Sequence, residues 1–237
     1  MRRESHTPTS GQKESGLLLP IAGRWVSIND LRSKYAANGQ TICARRFSRP
    51  SPLFRWAESR SYFSSPSQGL LFGAGLLVEA SALADRGWSV DAVELPQTIV
   101  RHVDEYLEWS RRPDCRILVD LQDLRPLYDV IIVTHVLEFI ENRRKREKIL
   151  KTLARHLAPK GKLLLSLRGW SDVNAARKRE KSGDGVITGL GTWTRGYSLD
   201  EAIHLIASAG LSVSESPSGI RARHPEQVRI ICQHKTA

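Results

Sequence analysis

Sulfur is scarce in this sequence: three cysteines and one methionine among 237 residues. Cys43, Cys115 and Cys232 stand far apart, are odd in number and form no CxxC pair. They exclude a disulfide framework and offer no metal-ligand spacing, so no metal is expected and the thiols read as small buried hydrophobes. Long apolar runs are also missing. None approaches the roughly 20 residues of a bilayer span. The stretch "GLLLPIAG" at 16–23 is too short and too interrupted for the core of a secretion signal. These absences point to a cytoplasmic protein with no membrane partner. Negative charge is the third shortage: 25 Asp and Glu against 36 Lys and Arg give a net charge of +11. That balance favours an anionic partner, whether nucleic acid, phosphorylated metabolite or acidic protein, and does not choose among them. No internal repeat is visible.

What is present is the patterning of a globular α/β chain, 41% hydrophobic and 26% charged, long enough for one sizeable core. Residues 1–16 are polar and aperiodic and read as a disordered tail. Residues 17–68 read as an N-terminal arm of short strands, turns and basic helices. Within it Pro50 and Pro52 split a helical stretch in which Arg45, Arg46, Arg49, Arg55 and Arg60 interleave with Phe47, Phe54 and Trp56. That stretch reads either as a basic lip over an active site or as an amphipathic helix whose arginine stems lie on the core. From 69 to 237 strands alternate with helices: "GLLF", "WSVDAVEL", "CRILVDL", "YDVIIVTHVLEFI", "GKLLLSLRGW" and "EQVRIICQH" are the strands. This alternation predicts a doubly wound, mostly parallel sheet with helices on both faces. The helix after Tyr197 carries a capping box, Ser198 with Glu201 three residues on. A polar, glycine-rich insertion over 171–196 interrupts the pattern; so long a connection is either functional or disordered. The basic run at 143–148 reads as the solvated face of a helix with Ile149, Leu150 and Leu153 inward. The run at 177–181 could touch a phosphate-bearing partner.

The stretch "LLFGAGLLVEASALADRGWSVDAVELP" (70–96) carries the chemistry. Gly73 and Gly75 let backbone amides approach a ligand where side chains would block it. Glu94, 21 positions after Gly73, ends the next strand, where a carboxylate accepts ribose hydroxyls. A dinucleotide turn would want a glycine where Val78 stands, which counts against a nicotinamide-dependent oxidoreductase.

"ILVDLQDLRPLYDVIIVTHVLEFI" followed by "LARHLAPKGKLLLSL" resembles the core of class I S-adenosylmethionine (SAM)-dependent methyltransferases, with "HVLEFI" and "LAPKGKLLL" the most specific parts. The resemblance spans about 69–167 and, more loosely, the C-terminal "GYSLDEA…AGL". It implies a seven-stranded Rossmann-like sheet with SAM as cofactor. It also implies that Gly73, Ala74 and Gly75 lie along the methionine part, Glu94 on the ribose, Leu95 and Leu121 on the adenine, and Asp120 at its amino group. Thr134 and His135 would then lie near the sulfonium. The acid the family carries two positions before the first glycine is Leu71 here, and a further family glycine is Leu77. Another polar group then completes the site, from the "CARRFSRP" arm for instance, or SAM binding is weakened. The absence of an "NPPY"-type run counts against an amino-methylating DNA enzyme. Arg168, Trp170, Trp193, Arg195 and Tyr197 could form an aromatic and basic wall for an anionic acceptor, with His135 and Tyr197 as candidate bases. The expectation is a methyltransferase for a small or modest-sized anionic acceptor. The alternative is a methyltransferase-like binding subunit that holds a partner protein or nucleic acid.

Overall fold

The computed structural model describes residues 17–35, 49–175, 179–216 and 227–235. Its strands are β1 (Leu18–Ile21), β2 (Arg24–Ser27), β3 (Gln68–Phe72), β4 (Ser89–Val93), β5 (Arg116–Leu118), β6 (Tyr128–Thr134), β7 (Leu157–Arg168), β8 (Arg179–Ser182), β9 (Gly185–Thr188), β10 (Trp193–Thr194), β11 (Leu211–Glu215) and β12 (Gln227–His234). Its α-helices are α1 (Ile28–Tyr35), α2 (Pro52–Ser59), α3 (Val78–Ala84), α4 (Pro96–Arg101), α5 (Val103–Trp109), α6 (Arg143–Arg155), α7 (Trp170–Ala175) and α8 (Leu199–Ser208).

The main sheet runs β11-β12-β7-β6-β3-β4-β5-β1-β2. Strands β3 to β7 pair in parallel, while β12 is antiparallel to both β7 and β11. The parallel strands carry apolar residues on both faces, as strands covered on both sides must. Leu71, Val90, Ala92, Ile117 and Ile132 pack into one core with α2, α3 and α5. Leu70, Leu118, Ile131, Val133 and Leu165 pack into the other with α6 and α8. The chain winds outward from β3 through β4 to β5, then crosses back to β6. The C-terminal ends of β3 and β6 therefore flank the crevice where an open sheet binds ligands. Among the described residues, no helix is long and apolar enough to cross a membrane.

The seven strands implied by the resemblance are joined by two more. Both come from the arm, whose expected short strands are present: β1 pairs in parallel with β5 and β2 forms the new edge. An uncovered β5 would leave its backbone N–H and C=O groups unpaired, and β1, with Leu19 and Ile21 buried, covers them. The fourth strand stops at Thr134, because His135 takes φ +55°, and Leu137–Phe139 close a 3₁₀ turn. Between β4 and β5 the helical stretch is broken at His102 into α4 and α5. α2 is amphipathic, with Leu53, Phe54 and Ala57 facing the core; Arg55 and the capping Arg60 face solvent, so their stems do not lie on the core. The tail at 1–16, Cys43, Arg45, Arg46, Phe47 and Arg177 lie outside the described residues. The insertion carries α7 and a separate three-stranded sheet, β10-β9-β8.

Candidate functional site

The glycine turn leaves β3 at Phe72 and folds over the end of β4, where the Gly73 and Ala74 amides both donate to the Val93 carbonyl, at 2.9 and 3.2 Å. Gly73 holds φ +80°, and a Cβ there would fall 2.1 Å from Val136 Cγ2, so no other residue fits. Gly75 is held from both sides. Its amide donates to Glu94 Oε2 at 2.7 Å and its carbonyl accepts the Tyr106 hydroxyl at 2.8 Å. Leu77, where the family glycine is missing, keeps the left-handed conformation that glycine would adopt, at φ +61°. The turn therefore keeps its shape without its third glycine.

Glu94 stands at the tip of β4. Burial pushes its pKa up, and the amides of Leu95 and Gly75 and the Thr98 hydroxyl pull it back. A carboxylate has about four lone-pair sites; three of these are taken, and one is left for a ribose hydroxyl. The turn and its acid thus fit a ribose-bearing cofactor through the remaining lone-pair site. Leu95 beside it is 42% exposed, an apolar face available to a purine ring. Asp120 is exposed and caps its own 3₁₀ turn, accepting the Gln122 amide at 3.0 Å with Oδ1. Leu121 is half-buried against the second core.

At the tip of β6 the site becomes chemical. His135 Nδ1 lies 2.8 Å from Glu138 Oε1, and Glu138 is completely buried. An ionised carboxylate only accepts, so against it Nδ1 is the donor, and in that neutral tautomer Nε2 is the ring's acceptor. Glu138 Oε2 is buried with no hydrogen-bond partner among the described residues. The Glu138 carbonyl accepts the Arg195 amide at 3.0 Å, which seats β10 on this turn.

The expected acceptor wall divides. Trp170, Arg195 and Tyr197 come together: the Arg195 guanidinium lies 4.2 Å over the Tyr197 ring and 5.9 Å over that of Trp170. Arg195 also donates to Asp184 and Glu201, both at 2.6 Å. Trp193 is buried behind them with its indole N–H on the Ser182 carbonyl, and Arg168 pairs with Asp172. Burial pushes Tyr197 up to about 12, so its hydroxyl keeps its proton at neutral pH. In front of Trp170 and Arg195 opens a cleft of about 850 Å³, rimmed by Arg143, Arg179 and Lys181.

Sequence reasoning missed four groups. Glu138 was hidden inside an apolar-looking motif. Arg146 was read with its basic run, yet it is buried, stacks on Trp193 and binds Asp184. Buried Asp91 ties Arg116, Arg125 and Tyr128 together below the site. Glu79 reaches both the arm and β6. Arg146, Asp91 and Glu79 owe their roles to partners remote in sequence, and Glu138 owes its own to the left-handed backbone at His135; a charged residue at a core-facing position of its element was the only local signal. Among the described residues, no three His, Cys, Asp or Glu side chains converge as metal ligands.

Residues 44–215 match a family model described as a methyltransferase domain. No curated protein sequence matches the chain. Several solved structures share its fold. The 1,6-didemethyltoxoflavin-N1-methyltransferase of Burkholderia thailandensis, solved with 1,6-didemethyltoxoflavin and S-adenosylhomocysteine, is 14% identical, with 92% of this chain and 95% of that one covered at a TM-score of 0.59. The CcbJ methyltransferase of Streptomyces caelestis is 14% identical, covering 88% and 98% at 0.58. A SAM-dependent methyltransferase of Clostridium acetobutylicum is 11% identical, covering 88% and 99% at 0.60.

Proposed function

The chain belongs to the class I SAM-dependent methyltransferase family, and from that premise we propose that it methylates a hydroxyl or amine on a small or modest-sized, anionic acceptor, with His135 taking the acceptor's proton. The His135–Glu138 pair carries this reading. SAM supplies an activated methyl group on a sulfonium. The protein is left to align the acceptor, exclude water and, where the nucleophile holds a proton, remove it.

In this reading Gly73, Ala74, Gly75 and Thr134 line the methionine end of the cofactor, Glu94 takes a ribose hydroxyl, and Leu95, Asp120 and Leu121 meet the adenine. His135 receives the proton on Nε2 while Glu138 holds Nδ1–H and balances the charge that forms. A buried carboxylate with an unsatisfied oxygen costs stability, and retaining it suits a positioning residue. Tyr197 keeps its own proton, and its buried ring supports the Arg195 guanidinium. The acceptor is held at the cleft in front of Trp170 and Arg195, where Arg143, Arg179 and Lys181 favour negative charge on it, and the Arg195 amide on the Glu138 carbonyl links this wall to the pair. A small-molecule acceptor, as 1,6-didemethyltoxoflavin is for the Burkholderia enzyme, suits that cleft.

The test is transfer of labelled methyl from SAM to a panel of small phenols and amines bearing carboxylate or phosphate. With an accepted substrate, His135→Gln lowers turnover by about 10²–10⁴-fold, the usual worth of a positioned base, while titration with S-adenosylhomocysteine is unchanged. Equal turnover by the variant overturns the role of His135. A folded chain that binds no S-adenosylhomocysteine would favour the binding subunit that holds a partner protein or nucleic acid.

A further inference from the structure

The site as described has no acid on β3 for the cofactor's charged end. SAM and its product both carry an α-ammonium on the methionine part, a cation that needs a carboxylate once water is excluded. The strand position that would supply one is Leu71, which is 3% exposed and packed in the first core. Phe72, next along, packs against the second core. β3 therefore brings no charge to the turn.

Glu94, which binds the Gly75 amide, is given to the ribose in the reading above; a second acid stands beside the turn. Glu79 lies in the first turn of α3, directly after the glycine turn. Its Oε1 accepts the Ser51 amide at 3.0 Å, and its Oε2 accepts the Thr134 hydroxyl at 3.4 Å. The carboxylate thus spans from the tip of β6 to the start of α2, across the crevice between β3 and β6. It is half-buried, and among the described residues no lysine, arginine or histidine pairs with it. Both of its partners are neutral donors. A carboxylate held by one amide and one long hydroxyl bond keeps lone pairs for a further donor and, among the described residues, has no counter-charge. Thr134 is also the strand end that faces the glycine turn, so an ammonium beside it lies within reach of Glu79.

We propose that Glu79 holds the α-ammonium of the cofactor, in place of the acid missing from β3. This rests on the methyl-transfer reading above. The acid has moved from the strand to the first turn of the following helix, and Leu71 is free to fill the core. The move has a consequence for the arm. Ser51 caps α2, accepting the Phe54 amide on its Oγ, and its own amide is held by Glu79. The carboxylate that receives the ammonium therefore also anchors the start of α2.

A ligand double-mutant cycle tests the assignment. Calorimetric titration of the full chain compares S-adenosylhomocysteine with its deamino analogue, which lacks only the α-amino group. The wild type is expected to bind the parent about 10- to 100-fold more tightly than the analogue, the usual range for a charge-assisted hydrogen bond. In Glu79→Gln that preference falls to about two-fold or less, because the carboxylate is gone and the analogue is bound as before. If Glu79→Gln does not fold, Glu79→Asp keeps the charge one methylene back, and a partial loss of preference is expected. An undiminished preference in a folded variant overturns the proposal. So does an equal loss for both ligands, which would make Glu79 a strut for α2 and nothing more. Failure of the wild type to bind either ligand overturns the methyl-transfer reading itself, and so the two failures are distinct.

Discussion

Leu77 is 2% exposed, yet its backbone sits at φ +61°. An L-residue in the left-handed region costs about 1–2 kcal/mol, and the buried isobutyl group offsets it by packing into the first core. The family glycine lost at this position has been exchanged for core volume, with no change in the path of the turn. At an ordinary helical site glycine is about 1 kcal/mol worse than alanine. Here the order reverses. Both Leu77→Ala and Leu77→Gly lose the packing, about 2–5 kcal/mol, but only alanine keeps the strain. Urea unfolding of the two variants is expected to rank Leu77→Gly equal to or above Leu77→Ala; a glycine variant weaker by about 1 kcal/mol would show that the backbone carries no strain.

On the scale of elements, the insertion is held by charge in place of an apolar core of its own. Arg146 of α6 and Arg195 after β10 share the Asp184 carboxylate, and Arg195 goes on to Glu201 of α8. Glu201 Oε2 accepts both the Ser198 amide, as the capping box requires, and the Trp170 indole N–H at 3.0 Å. One residue therefore starts α8 and pins α7 and the cleft wall. Ser198→Ala removes the cap alone and is expected to cost about 1 kcal/mol. Glu201→Ala removes the cap and both pins, and is expected to cost about 2 kcal/mol, discounted because the carboxylate is two-fifths exposed. Burial works to raise the Glu201 pKa, but the Ser198 amide, the Trp170 N–H and Arg195 outweigh it and the net shift is downward. A depressed acid stabilises the fold above its unfolded value, about 4.3, and loses that contribution as pH falls through the folded value. The advantage of the wild type over Glu201→Gln in denaturant should therefore be full at pH 7 and shrink below about pH 4. An advantage that stays constant with pH would exclude the ionised pins.

Across the whole molecule, the N-terminal hairpin is part of the sheet and of its core. Leu19 is fully buried, and Leu19, Ile21 and Ile28 belong to the same cluster as Leu83 and Tyr106. The Tyr62 hydroxyl reaches Glu215 on β11, tying the segment before β3 to the far edge strand. Leu19→Ala should lower stability by about 2–4 kcal/mol and the midpoint of thermal unfolding by about 4–12 °C, in one cooperative transition. A transition left unmoved would mean that the hairpin opens independently of the domain. The net charge of +11 is spread over exposed faces such as Arg143, Arg144, Lys145 and Lys148 of α6, whose inner side is Ile149, Leu150 and Leu153.

Local chemistry was enough to specify much of this. Alternating strand and helix periods dictated the doubly wound sheet, Gly73 and Gly75 marked the turn, and Glu94 marked the end of β4. Ser198 with Glu201 marked the start of α8. Each of these signals acts within a few residues, or repeats at a fixed period, and so it is written along the chain. Tertiary structure alone decided the rest. β1 joined β5 because an open edge needs covering, and no residue of β1 announces that partner. Arg146 and Arg195 turned inward because Asp184, 38 residues from one and 11 from the other, meets both. Glu138 became the partner of His135 because the left-handed backbone at 135 folds the chain back on itself. Glu79 bridges the start of α2 and the tip of β6 because Ser51 and Thr134, 28 and 55 residues away, converge on its carboxylate. A charge buried beside distant partners depends on how elements pack, and packing is settled only when the whole sheet has formed.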